Sequence, residues 1–329
     1  MTTKNKNTET GTKPIPAYAR VVVLMSTYNG ERYVVEQLRS ILDQLPAHGR
    51  IRVRDDGSGD RTAALIRQLG DPRIELTEGG NLGFSRSFLT LLAEAPADAD
   101  MVMFSDQDDV WLPDKISRAW SHLSALHGGP ALYGSAQMLV DAELRPLGPT
   151  RPWPRGPSLA SALTENIITG CTAALNREAV NLMQRAGVPA GVHLHDWWLY
   201  LVVSAFGSVV WDQEPSLLYR QHGQNQIGHG AGWLDRHLGV VRFLRRNDWV
   251  GILLGQIHAL HKHYGDQLPD RTRRLVLDHF AIVGHKAVPR WRLIFSTRRW
   301  RQGPAWDLML RLLLAAHRLK LWPPRTRRL

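Results

Sequence analysis

The feature that most constrains this chain is an alternation in its first third. Short runs of strand character end in turns rich in Gly, Asn and Asp, and stretches with helical spacing follow. Arg20–Ser26 is almost wholly apolar, Thr27-Tyr28-Asn29-Gly30 turns the chain, and Glu31–Gln44 carries Val34, Leu38, Ile41 and Leu42 at helical spacing. Ile51–Arg54 then leads through Asp55-Asp56-Gly57-Ser58-Gly59-Asp60 into Arg61–Leu69, which Asp60 is placed to cap. Arg73–Thr77, the Gly79–Gly83 turn and Ser85–Glu94 repeat the unit, and Met101–Phe104 starts a fourth. Apolar strands alternating with helices across short connections predict an α/β fold, a mostly parallel sheet flanked by helices. Ligands of such sheets bind beyond the carboxyl ends of the strands.

Acids collect at those ends. Asp106, Asp108 and Asp109 fall within four residues directly after Met101–Phe104. Like charges this close raise one another's pKa, and a hard divalent cation relieves the repulsion. Asp114 is placed to cap the helix that follows. Asp55 and Asp56 can accept from the imide N–H of a pyrimidine and from ribose hydroxyls, or can bond their own turn. Asn81-Leu82-Gly83-Phe84-Ser85-Arg86 opens a helix whose free N–H groups, with Arg86, suit a phosphate. Gly-x-Gly-x-x-Gly and P-loop patterns do not occur there.

The second third is less regular. Strands are expected at Ala131–Val140, Ile167–Leu175 and Ser208–Trp211, with a Pro-rich loop at Arg145–Pro157 and helices from Arg177 and over His195–Phe206. Asp196 opens the latter helix before Trp197 and Trp198. It serves either as a cap or, in an aromatic-walled pocket that raises its pKa, as a general base. Arg220 and His222 follow in Tyr219–Asn225, where Arg220 can meet a diphosphate and His222 can join the carboxylates around a metal. Cys171 reads as a small buried packing residue.

Charge separates the ends from the body. Residues 1–19 are polar and read as a flexible tail without an apolar signal segment. The formal charge of +11 equals that of residues 286–329, where twelve Lys/Arg face the single acid Asp307. A formally neutral body does not suit a general nucleic-acid binder. The single cysteine of the chain, Cys171, excludes an internal disulfide framework and fits a reducing compartment. Over Gly303–Trp322, Asp307, Arg311 and Arg318 form one stripe with leucines and Trp306 around it. That pattern predicts a basic helix lying on an anionic membrane surface, or one packed on the body.

Taken in order, Ser26–Gly30, Asp55–Ser58, Asn81-Leu82-Gly83, Ser105–Trp111, Thr169–Thr172, His195–Trp198 and Tyr219–His222 resemble the inverting family 2 glycosyltransferases of the GT-A fold. The nearest subgroup is the rhamnosyltransferase-like enzymes of bacterial cell-surface polysaccharide. The resemblance implies a catalytic domain over 20–228 and a helical basic region over 229–329. Its donor would be a dTDP-, UDP- or GDP-sugar, its acceptor glycan or lipid-linked, its cofactor Mn²⁺ or Mg²⁺. Thr27, Tyr28 and Asn29 would frame the base, and Asp55 or Asp56 would read it. Asp106 and Asp108 would form the Asp-x-Asp motif, Asp108 being the stronger metal ligand and Asp106 serving ribose or metal, and Asp196 would be the base. Tyr219-Arg220-Gln221-His222 stands where processive synthases carry Gln-x-x-Arg-Trp, which favours transfer of a single sugar. The expected location is cytoplasmic, peripheral on the inner face of the cell membrane. A sugar-phosphate nucleotidyltransferase and a non-catalytic nucleic-acid or membrane-binding protein are the competing readings. The first lacks a Lys/Arg-bearing glycine loop after its first strand, and the second leaves the acidic strand ends unexplained.

Overall fold

The computed structural model describes residues 14–126, 128–221, 249–284 and 300–318. The strands are β1 (Val21–Thr27), β2 (Arg50–Asp55), β3 (Ile74–Glu78), β4 (Met101–Ser105), β5 (Val110–Trp111), β6 (Ala131–Val140), β7 (Pro146–Pro149), β8 (Ala174–Asn176) and β9 (Ser208–Arg220). Between them lie α1 (Val34–Leu42), α2 (Thr62–Gln68), α3 (Phe84–Ala93), α4 (Lys115–Ser124), α5 (Leu159–Ala162), α6 (Arg177–Ala186) and α7 (His195–Phe206). Three further helices follow: α8 (Trp249–Tyr264), α9 (Asp270–Gly284) and α10 (Pro304–Arg318).

One sheet runs in the order β3-β2-β1-β4-β8-β6-β9-β5, with β7 paired to β6. The first four strands are parallel, as the alternation demands, because each is joined to the next through a helix. Beyond β4 the sheet is mixed: β8 lies antiparallel to β4 and β6, while β9 runs parallel to β6. The side chains of β1 divide between two cores. Val21, Val23 and Met25 pack with α1, α2 and α4, whereas Val22 and Leu24 pack with α3, α6, α7 and α8. Val34, Leu38 and Ile41 on α1 are each fully covered, and such burial is worth about 1.5–3 kcal/mol per side chain.

Three local expectations are corrected. Ile167–Leu175 is not a continuous strand. A 3₁₀ turn occupies Gly170–Thr172, and only Ala174–Asn176 pairs in the sheet. At Gly170 a Cβ would stand 2.6 Å from the His195 ring, so the chain passes too close to α7 to keep a pleated course with a side chain there. Asp114 holds the N-cap position of α4 without a side-chain cap bond, and faces Arg118 at 3.7 Å instead. β9 continues past Trp211 to Arg220, with register shifts opposite Ser135 and Ala136 that accommodate Pro215.

The C-terminal helices contribute Leu253, Ile257, Leu260, Tyr264, Val276 and Leu310 to the same core as α7. Among the described residues no helix is long and apolar enough to cross a membrane.

Candidate active site

The carboxyl ends of β1, β2 and β4 meet at one edge. Two amide exchanges build the turn after β1. The Tyr28 N–H donates to Gln107 Oε1 at 2.8 Å, and Gln107 Nε2 donates to the Tyr28 carbonyl at 3.0 Å. Gly30 leaves room for this pairing, since a Cβ there would lie 2.3 Å from Gln107 Oε1. Asn29 takes a left-handed φ of 50°, donates from its N–H to Ser58 Oγ, and accepts from the Gly59 N–H. Tyr28 is half exposed beside this brace, so its ring is open to a planar ligand.

Both acids after β2 are engaged. Asp55 accepts from Thr27 Oγ1 at 2.9 Å, from the Ser58 N–H at 2.8 Å and from Ser58 Oγ at 2.6 Å. Asp56 is ion-paired with Arg54 and accepts from the N–H groups of Leu82 and Gly83. Asp56 therefore holds the glycine-bearing turn before α3, with Gly57 at φ 84° lying against the Gly79 carbonyl. Arg86, on the first turn of α3, is exposed to solvent.

After β4, Asp106, Asp109 and Cys171 each bring one ligand atom within 4.8 Å of the others. Burial, with the charges of Asp108 and Asp196, pushes Asp106 up to about 7. Burial and the same crowding by Asp108 and Asp106 hold Asp109 well above the carboxylate range. Asp109 Oδ1 accepts from the Arg220 N–H at 3.3 Å, while its Oδ2 is buried with no partner among the described residues. An orphaned carboxylate oxygen beside a second carboxylate fits a hard divalent ion, which takes oxygen ligands and favours the ionised form of both. The Cys171 thiol, held up by burial, is a soft neighbour poorly suited to such an ion. Asp108 is partly buried and stands outside this grouping of ligand atoms, and its carbonyl accepts from Arg220 Nε at 2.9 Å. His222 lies outside the described residues.

Two cations support the acids from below. Arg220 is buried, reaches Glu36 at 2.5 Å and the Ala142 carbonyl at 2.6 Å, and lies over the Tyr33 ring. Lys115 is completely covered, with Nζ donating to the Cys171 carbonyl at 3.0 Å and to Ser216 Oγ at 3.1 Å. Burial lowers its pKa to about 8, against the raising effect of Cys171, Asp109 and Asp106. Nothing in the local sequence marks Lys115 as part of the site. A lysine in the first turn of a helix looks like a solvated charge until the fold covers it.

Asp196 faces this cluster from the first turn of α7, near enough to raise Asp106. It accepts from the Trp197 N–H at 2.7 Å, and the Gly170 backbone and the Asn166 side chain also act to lower its pKa. Burial outweighs these bonds and pushes its carboxyl up to about 6. Trp197 and Trp198 do not form the aromatic wall expected beside Asp196. Trp197 and Trp198 are fully buried in the core, with Trp197 Nε1 on the Ala162 carbonyl, because α7 is covered on nearly all sides. His195 stacks on Phe88 at 4.4 Å, with Phe104 at 5.9 Å and Phe84 at 6.1 Å, and burial drives its pKa down to about 3. It is a neutral ring at physiological pH. The edge thus carries paired acids that suit a cation, and one carboxylate whose raised pKa suits it to take a proton.

The family model for glycosyl transferase family 2 matches residues 22–181. The dTDP-rhamnosyl transferase RfbG of Shigella flexneri is 30% identical over 249 residues, covering 68% of this chain and 80% of that one. The putative teichuronic acid biosynthesis glycosyltransferase TuaG of Bacillus subtilis is 26% identical over 182 residues, covering 54% and 70%. In three dimensions the chain is similar to S. aureus TarS 1–349, solved in complex with UDP-GlcNAc. The TM-score is 0.52 at 15% identity, and the match covers 92% of each chain.

Proposed function

The chain belongs to glycosyl transferase family 2, with the GT-A fold, and from that premise we propose the finer reaction. It transfers one sugar from a nucleotide-diphosphate sugar to a hydroxyl of a glycan or lipid-linked acceptor in bacterial cell-surface polysaccharide synthesis, with inversion at the anomeric carbon. The observation that carries this reading is the approach of Asp196 to the acidic β4 end. A proton acceptor with a pKa of about 6 there faces the group that would hold the donor's diphosphate.

In this reading the half-exposed Tyr28 ring frames the base, while Thr27, fully buried, acts only by holding Asp55. Asp55, fixed by Thr27 and Ser58, presents its edge to base or ribose. Asp106 and Asp108 address ribose and metal, and the orphaned oxygen of Asp109 adds a further candidate ligand. A bound Mn²⁺ or Mg²⁺ would stabilise charge on the departing nucleotide diphosphate. Asp196 accepts the proton of the acceptor hydroxyl, which attacks the anomeric carbon opposite the leaving group. In-line attack accounts for inversion. Arg86, exposed at the start of α3, is free to meet phosphate charge. Arg220 supports the site from beneath, through the Asp108 carbonyl and the Asp109 carboxylate.

The same reading puts the enzyme at the cytoplasmic face of a membrane. Twelve Lys/Arg in residues 286–329 support it. On α10 the Asp307–Arg311 pair is mostly covered while Leu308 and Leu312 are each 53% exposed, so the helix turns leucines outward. Leucines over a basic segment suit an anionic lipid surface.

A donor screen tests the reaction. dTDP-rhamnose, UDP-GlcNAc and GDP-mannose are compared with Mn²⁺ for thermal stabilisation and turnover, and the product's anomeric configuration is read by NMR. Stabilisation by one nucleotide class and an inverted product are expected. A retained configuration, or no response to any nucleotide diphosphate, would overturn the proposal.

A further inference from the structure

One described piece of the C-terminal region, Trp300–Gln302, is interlocked with the loop that precedes the Gly170 turn. Glu165 is 3% exposed, and both its carboxylate oxygens are taken by this segment. Oε2 faces Arg301 at 3.4 Å, and Oε1 accepts from the Gln302 N–H. The Gln302 amide bridges to the loop before α5, accepting from the Arg155 N–H at 3.0 Å and donating to the Gly156 carbonyl at 2.8 Å. Thr164 Oγ1 donates to the Trp300 carbonyl at 2.8 Å, and the Arg155 guanidinium lies 4.4 Å from the Trp300 ring centroid. The loop before α5 is also tied to α7, with the Tyr200 hydroxyl bonded to both the N–H and the carbonyl of Ser158.

Asn166 follows Glu165 directly. Its Oδ1 accepts from the Ile168 N–H at 3.0 Å, and the turn runs on to Gly170, where a Cβ would lie 3.6 Å from Asp196 Cβ; the Asn166 side chain also acts to lower the Asp196 pKa. We infer that Trp300–Gln302 is a clamp on the turn that borders Asp196: through buried Glu165 it holds the chain over Asn166–Gly170, and that turn positions Asp196 for proton abstraction. Asn166, Glu165 and Arg301 are positioning residues, none of which touches substrate. The inference rests on Asp196 being the general base and assigns part of the C-terminal region a catalytic duty distinct from any membrane role. It also changes what truncation means. A chain ending near Gly284 loses the Arg301 and Gln302 partners of Glu165, and with them the hold on the turn beside Asp196.

Full-length Arg301→Met, Arg301→Lys, Asn166→Ala and Asp196→Asn test it. Amide hydrogen exchange, affinity for dTDP with Mn²⁺, and dTDP release from dTDP-rhamnose are measured for each. In Arg301→Met, exchange should rise across residues 166–172 and at the start of α7 but not in β1–β4. Turnover should fall about tenfold or more, the scale of a misplaced catalytic group, with dTDP affinity within about twofold of wild type. Arg301→Lys should recover much of the loss. Asn166→Ala should reproduce the loss of turnover without added exchange at 300–302. Exchange confined to residues before Asn166, or turnover lost only in step with dTDP affinity, would overturn the clamp. Wild-type turnover in Asn166→Ala alongside a dead Asp196→Asn would overturn it alone. Undiminished turnover in Asp196→Asn would instead overturn the base assignment beneath it.

Discussion

Replacing Asp196 with Asn should make the protein more stable at alkaline pH while removing its transfer activity. In the folded chain burial raises this carboxyl from 3.8 to about 6, despite the bonds from Trp197, Gly170 and Asn166. Two pKa units correspond to about 3 kcal/mol, and partial exposure reduces this to about 1–3 kcal/mol. The sign follows from proton uptake. Between the unfolded and folded pKa values the native state holds the proton more tightly, so it loses stability as pH rises through about 6. Asparagine carries no charge to desolvate and also relieves Asp106, which Asp196 raises. It forfeits an acceptor for one N–H, at about 1 kcal/mol. The variant should therefore melt a few degrees above wild type at pH 8, at roughly 2–4 °C per kcal/mol. That advantage should vanish below pH 4, where Asp196 is protonated in both states. Transfer should drop about 10²-fold or more, a general-base contribution, while nucleotide affinity stays within a few-fold. Wild-type transfer should rise with pH through about 6, as the base ionises. Paired melting curves at pH 4 and pH 8, with turnover measured on the same preparations, check this. A variant that transfers normally, or that is destabilised more at pH 8 than at pH 4, would refute the assignment.

Other consequences are as direct. Asp108→Ala and Asp109→Ala, compared by calorimetry with dTDP and Mn²⁺, should each weaken metal-dependent binding by tenfold or more, about 1.4 kcal/mol. Wild-type affinity in both would remove the metal site from the β4 end. Gln107→Ala breaks both bonds to the Tyr28 backbone and should raise the Kd for dTDP several-fold with little change in turnover at saturation. An unchanged Kd would show that the turn after β1 is held without it. Full-length protein should co-sediment with anionic but not neutral vesicles, less so as salt shortens the screening length from about 10 Å at 0.1 M to about 3 Å at 1 M. Equal sedimentation with both vesicle types would argue against an electrostatic membrane contact.

Much of the parallel half was legible before any coordinates. β1 is buried on both faces, so nearly every residue of Val21–Met25 had to be apolar, and helices with one covered face had to show Val34, Leu38 and Ile41 at helical spacing. The site's edge was readable for the same reason. A parallel strand ends where its apolar run ends, and the acids follow at once. α7 was bounded correctly at His195–Phe206 by its apolar run and Gly207. The order of the motifs was specific enough to indicate the family.

What only the tertiary structure decided is how these groups divide their work. Adjacent residues in sequence look equivalent, yet Asp55 braces Thr27 and Ser58 while Asp56 pairs with Arg54 and holds Leu82 and Gly83. Trp197 and Trp198 face the core because α7 is covered almost all round, which a short apolar run does not reveal. The strand expected over Ile167–Leu175 is broken by a 3₁₀ turn at Gly170–Thr172, where the backbone approaches His195, a residue distant in sequence, so closely that only glycine fits. Lys115, Asn166 and Glu165 carried no local signal, since a buried charge or amide acquires its meaning from partners up to 137 residues away. Periodicity and motif order record what each segment does to water. The pairing of buried polar groups is fixed only when those segments meet.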